Sequence, residues 1–102
     1  MLYYKQKNGL WIDEYDIDRA FYINFGESKA TNEREFLIWL NDKLGKSIIE
    51  VRRENDPYLV DALIKANQKL TAVKILHSQF GFSLNKAKEI VDQAEKEMKA
   101  NR

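Results

Sequence analysis

The chain has 102 residues, 44% apolar and 32% charged, and its Lys+Arg 17 against Asp+Glu 16 leave a net charge of +1. That size and balance describe one folded domain, 1–102, with a modest core, and they exclude a disordered chain. The near-neutral charge argues against a protein held to nucleic acid or anionic membrane by bulk electrostatics, and the absence of cysteine excludes disulfides, thiolate catalysis and zinc-thiolate sites.

From the N-terminus, residues 2–6 and 10–12 flank Asn8-Gly9. Asn-Gly favours the positive φ angles of a two-residue turn, so a short β-hairpin is expected. Two strands are barely stable alone and need something to pack on. Asp16 is expected to cap a helix over 17–25, with Ile17, Ala20, Phe21, Asn24 and Phe25 on one face and Gly26 as its left-handed stop. Asn32 and Glu35 have capping-box spacing for a second helix running to Leu44 and stopping at Gly45. Phe36, Leu37, Leu40 and Leu44 form its inner stripe; Ile38 and Trp39 widen it, which implies burial on two sides, with Trp39 substantially buried.

Residues 47–53 are β-branched and short, and read as a strand pairing with the N-terminal hairpin. Asp56-Pro57 opens a helix over 57–66, since proline is favoured in a first turn; the apolar run Tyr58 to Ile64 also fits a strand. Asn67-Gln68 breaks the pattern. Leu70, Val73, Leu76 and Phe80 then recur every three or four residues, as do Leu84, Ala87, Val91, Ala94 and Met98, giving two amphipathic helices. Gly81 stops the first in a left-handed conformation, Phe82 folds back toward Leu76, and Ser83 caps the second. Lys88/Asp92 and Glu95/Lys99 stand at i,i+4 spacing. The expected fold is α+β and mostly helical: an N-terminal β-hairpin, one further short strand and five helices, the last two a C-terminal helical hairpin. Residues 1–56 hold the hairpin, two helices and the strand; residues 57–102 form a three-helix unit.

Residues 69–92 carry a more specific pattern. Lys69 opens the segment, Val73-Lys74 is an apolar-Lys pair, Gly81 is the turn, and Leu84 with Ala87-Lys88 is followed by Ile90-Val91. In this register the segment resembles the C-terminal domain of the bacterial large-subunit ribosomal stalk protein, and with the preceding helix (about 59–92) it is similar to small stalk-like Gram-positive proteins. The resemblance departs where His77 stands for an arginine, Ser83 for a glycine, and Asn85 and Lys86 for lysine and glutamate. The family's domain also continues beyond the hairpin with strand, helix and strand. The family's two-helix face docks translational GTPases. The resemblance therefore implies a partner-binding face made of Lys69, Leu70, Val73, Lys74, His77 and Lys88, with a translational GTPase or another host factor as partner. A solvated face of two helices is the plainer alternative for the same residues.

Other chemistry is thin. His77 is the only histidine, which excludes a histidine-rich metal site, and near a helix C-terminus it reads as a surface or cap-adjacent residue. Asp13, Glu14, Asp16 and Asp18 cluster without calcium-loop spacing, so capping and solvation account for them better than a metal or an acid-base pair. The aromatics between Tyr3 and Phe25 read as core, with any exposed Tyr/Trp patch marking an interface. No cofactor, metal or catalytic residue is expected. The longest apolar run, residues 36–40, is too short to cross a membrane, and the N-terminus has no apolar leader, so a cytoplasmic protein is expected. The expected function is a non-catalytic, small protein-binding module using the hairpin face. The alternative is nucleic-acid binding through the same mildly basic hairpin, weakened by the scarcity of Arg, Asn and Gln on the second helix.

Overall fold

A computed structural model describes residues 1–100. The elements run β1 (Leu2–Gln6), β2 (Trp11–Asp13), α1 (Glu14–Phe25), α2 (Glu33–Lys46), β3 (Ile48–Arg53), α3 (Pro57–Lys65), α4 (Lys69–Phe80) and α5 (Leu84–Ala100). This is the α+β, mostly helical fold expected. The chain separates into two compact units, one over Met1–Val51 and one from Arg52 onward.

In the first unit the strands form one sheet in the order β2-β1-β3. Tyr3 pairs with Asp13, Tyr4 with Ile12 and Lys5 with Trp11, antiparallel. Lys7 N donates to Ser47 O at 2.9 Å, so the end of β1 meets the start of β3 and that pair is antiparallel too. The hairpin turn differs from the expected two-residue form. Only Gly9 has a positive φ (89°), while Gly9 N reaches Gln6 O and Gln6 N reaches Leu10 O, both at 2.9 Å. That is a three-residue loop closed by a left-handed glycine, and Asn8 Oδ1 instead accepts from Leu10 N at 2.9 Å.

Helix α1 begins without a loop after β2. Its cap is Asp13 rather than Asp16. Asp13 Oδ1 accepts from Asp16 N at 2.9 Å and Asp16 Oδ2 accepts from Asp13 N at 3.3 Å, a reciprocal capping box. Glu14 and Asp16 lie in the first turn, where the helix dipole favours negative charge. Gly26 ends the helix at φ 71°, its N–H bonding Tyr22 O. Helix α2 lacks the expected box. Asn32 makes no cap bond; its Nδ2 donates to Glu27 Oε2 at 2.7 Å, drawn away by the preceding turn. Gly45 does not stop α2, which runs on to Lys46. A glycine stops a helix by turning to positive φ, and Gly45 does not.

Phe21, fully buried, centres this unit's core with Tyr4, Ile17, Phe36 and Ile48. The Phe21 ring meets Phe36 edge-on at 5.2 Å, Trp39 at 5.6 Å and Phe25 at 4.7 Å, geometries that add to simple burial. The inner stripe of α2 is narrower than expected. Phe36, Trp39 and Leu40 turn toward the core, Trp39 mostly buried as expected, whereas Leu37, Ile38 and Leu44 face solvent. On α1, Asn24 and Phe25 are likewise more exposed than the apolar face implied.

In the second unit residues 57–65 are helical, which resolves the helix-or-strand ambiguity. Asp56 Oδ1 accepts from Tyr58 N at 2.9 Å and Pro57 occupies the first turn. The helix closes with Asn67 at φ 62°, Gln68 N on Leu63 O at 2.8 Å and Asn67 N on Ile64 O at 3.0 Å, the bond pair of a Schellman stop with asparagine as its left-handed residue. Leu59, Val60, Leu63 and Ile64 from α3, Ala72, Val73, Ile75 and Leu76 from α4, and Ala87 and Val91 from α5 are buried, and all three helices touch one another. Two members of the α4 apolar repeat are displaced from the expected core: Leu70 is 84% exposed and Phe80 38%. Leu84 of α5 is also exposed.

Candidate functional site

The α4–α5 turn is held by backbone and side chain together. Gly81 adopts φ 75° and its N–H reaches Leu76 O; Phe82 N donates to the same carbonyl at 3.3 Å. His77 Nδ1 lies 2.7 Å from Phe82 O. A carbonyl only accepts, so the proton sits on Nδ1 and Nε2 is left as the free nitrogen. Ser83 Oγ then accepts from Lys86 N at 3.2 Å and caps α5.

The six residues implied by the stalk-like pattern divide into three groups. Leu70, Lys74 and His77, at i, i+4 and i+7, share an exposed stripe of α4. Lys88 is exposed on α5, one turn beyond exposed Leu84. Val73, at 8% exposure, is core and leaves the contact set. Lys69 is an internal clasp: its Nζ lies 3.3 Å from Glu95 Oε1 and 3.6 Å from Asp92 Oδ1. The hydrogen bond with Glu95 raises the Lys69 pKa, and the same bond lowers that of Glu95, which also takes Lys99 at 3.5 Å. The expected Lys88–Asp92 pair is not formed, because Asp92 turns to Lys69.

The electrostatics of this face were legible in the sequence through a signal that periodicity does not carry. From Ala62 to Lys88 there is no acidic residue, while Lys65, Lys69, Lys74, Lys86 and Lys88 fall within that run. Three of the five are engaged: Lys65 with Asp61 at 3.0 Å, Lys86 with Glu89 at 3.6 Å, and Lys69 as above. Among the described residues, Lys74 and Lys88 have no ion pair.

One concavity, of about 710 Å³, is bounded by residues of α5 alone, Lys86 to Glu97. Among the described residues, no group of three His, Asp or Glu is placed to hold a metal, and no helix is long and apolar enough to cross a membrane.

No family model, curated protein or solved structure matches this chain.

Proposed function

We propose that this protein is a non-catalytic, cytoplasmic protein-binding module that engages its partner through the exposed face of the α4–α5 hairpin. The observation that carries this reading is Leu70, 84% exposed on a well-packed helix, with Lys74 one turn away and carrying no internal ion pair. An apolar anchor beside an unneutralised charge combines burial energy with steering, the pairing by which small surfaces gain affinity and on-rate. His77, through its free nitrogen, and Lys88 extend the face. Val73 supports it from the core and Lys69 from the surface clasp with Glu95. The stalk-like pattern of residues 69–92 points to a translational GTPase as the first partner to try.

Nucleic-acid binding is the second reading, favoured by the acid-free run from Ala62 to Lys88. It gives no role to Leu70, because phosphate contacts need cations and no apolar anchor. An NMR titration of the isotope-labelled protein with a purified bacterial translational GTPase tests the leading reading. The expected result is selective shifts at Leu70, Lys74, His77 and Lys88, lost in Leu70→Ala and Lys74→Glu. Absence of shifts there, together with DNA or RNA binding that falls steeply with salt, favours the second reading.

A further inference from the structure

The loop between β1 and β2 brings a nucleophile and an electrophile together. Asn8 is exposed, and Gly9 follows it. Leu10 N donates to Asn8 Oδ1 at 2.9 Å, and the ring closed by that bond folds the side-chain amide back over the Asn8–Gly9 peptide. The same donor polarises the Asn8 side-chain carbonyl and stands at the distance that stabilises an oxyanion forming there. Gly9 N can attack Asn8 Cγ through a five-membered ring. No side chain flanks that nitrogen, and a Cβ built on Gly9 would meet nothing within 4 Å. Every other asparagine is followed by a residue with a side chain, which crowds the same approach. One interaction opposes the attack: Gly9 N–H is bound to Gln6 O at 2.9 Å. That bond closes an exposed loop tip, and it opens locally without unfolding of the unit.

We infer that Asn8 is a self-modifying site, at which the loop converts its asparagine into a mixture of aspartate and isoaspartate. The Gly9 nitrogen gives its proton to solvent base and bonds to Asn8 Cγ. The Cγ–Nδ2 bond breaks, and the side-chain nitrogen leaves as ammonia, taking its proton from water. Water then opens the cyclic imide. Its attack at Cγ gives aspartate on an unaltered backbone; its attack at the main-chain carbonyl gives isoaspartate, whose backbone runs through Cβ and Cγ. One water is consumed, one ammonia is released, and nothing is oxidised or reduced. The two products differ in consequence. Aspartate keeps an oxygen for Leu10 N. Isoaspartate lengthens a loop whose Gln6 and Lys7 bonds lie within two residues of it, Lys7 N to Ser47 O among them. It therefore loosens the strand that supplies Tyr4 to the core.

Incubation of the full chain in mildly alkaline buffer, followed by peptide mapping with mass spectrometry, tests this. The expected result is an amide-to-acid mass gain at Asn8 at least about tenfold faster than at any other asparagine. The native rate should lie within about tenfold of the rate in urea, because only one exposed hydrogen bond stands in the way. Asn8→Gln, which needs a six-membered ring, should abolish the reaction without disturbing the fold. Asn8→Asp should melt with the fresh wild type, and the isoaspartate fraction of aged protein should melt below both. Modification no faster at Asn8 than at the other asparagines overturns the inference. So does a native rate more than about a hundredfold below that in urea, which would make the reaction a property of the unfolded chain. An isoaspartate fraction that melts with the fresh protein overturns the effect on β1.

Discussion

Two glycines show how the same substitution takes opposite signs. Gly81 holds φ 75° and a Cβ placed there meets nothing within 4 Å. The cost of Gly81→Ala is therefore conformational: an L-residue in the left-handed region loses about 1–2 kcal/mol. Gly45 lies within α2 without a positive φ and with the same open space, so Gly45→Ala should stabilise by about 0.5–1 kcal/mol through helix propensity and a smaller unfolded ensemble. Urea denaturation of the two variants should move the midpoint in opposite directions. Leu70 and Val73 make a second contrast. Leu70→Ala at an 84% exposed site should change stability by no more than about 0.5 kcal/mol. Val73→Ala, at 8% exposure, should cost about 2 kcal/mol from lost burial and the cavity left behind. Equal costs at the two positions would contradict the separation of anchor from core.

At the scale of elements, α4 and α5 are joined across their buried faces and clasped at the surface by Lys69 and Glu95. Glu95 titrates below its ordinary value of 4.5, so its contribution is present above that value and is lost as pH falls through the lowered one. Lys69 titrates above its ordinary 10.5, so its share is present below that value and is lost as pH rises through the raised one. Between those limits the clasp is intact. The melting-temperature difference between the wild type and Glu95→Gln should be flat across neutral pH and shrink as acid takes the solution below 4.5. Both groups are at the surface, so the effect should be small and should weaken with salt. A difference that grows in acid would mean the clasp is not what the substitution removes.

At the scale of the whole molecule, charge divides with the two units. Residues 1–51 hold seven bases and nine acids, and residues 52–102 hold ten and seven. The first unit carries the acidic capping residues of α1 and the exposed Leu37, Ile38 and Leu44 of α2; the second carries the acid-free run and the Leu70 stripe. Each unit has its own core, centred on Phe21 in one and on Leu59, Leu63, Ile75 and Val91 in the other. About fifty residues bury little surface on their own, so apolar side chains left outside such small cores stand out as candidates for contacts with other molecules.

Local chemistry was enough to foresee much of this protein. Gly26 and Gly81 as stops, Asp56-Pro57 as a start and Ser83 as a cap follow from interactions spanning a few residues, whose partners are named by nearby sequence; the third strand, which joins the hairpin across forty residues, was named by its β-branched composition. Caps in competition were less legible. Asp13 and Asp16 are both good caps, and the choice fell to Asp13 because β2 delivers it to the helix start in an extended conformation. Asn32 lost its role to a side-chain bond with Glu27. The faces of the helices needed the tertiary structure. Leu70 and Val73 both fit one helical stripe, and so do Phe36 and Leu37; a stripe wider than the neighbouring surface has to leave one edge outside. Periodicity names the residues able to be buried, but the positions of packed neighbours decide which of them are, and here that decision separates the core of each unit from the surface it offers.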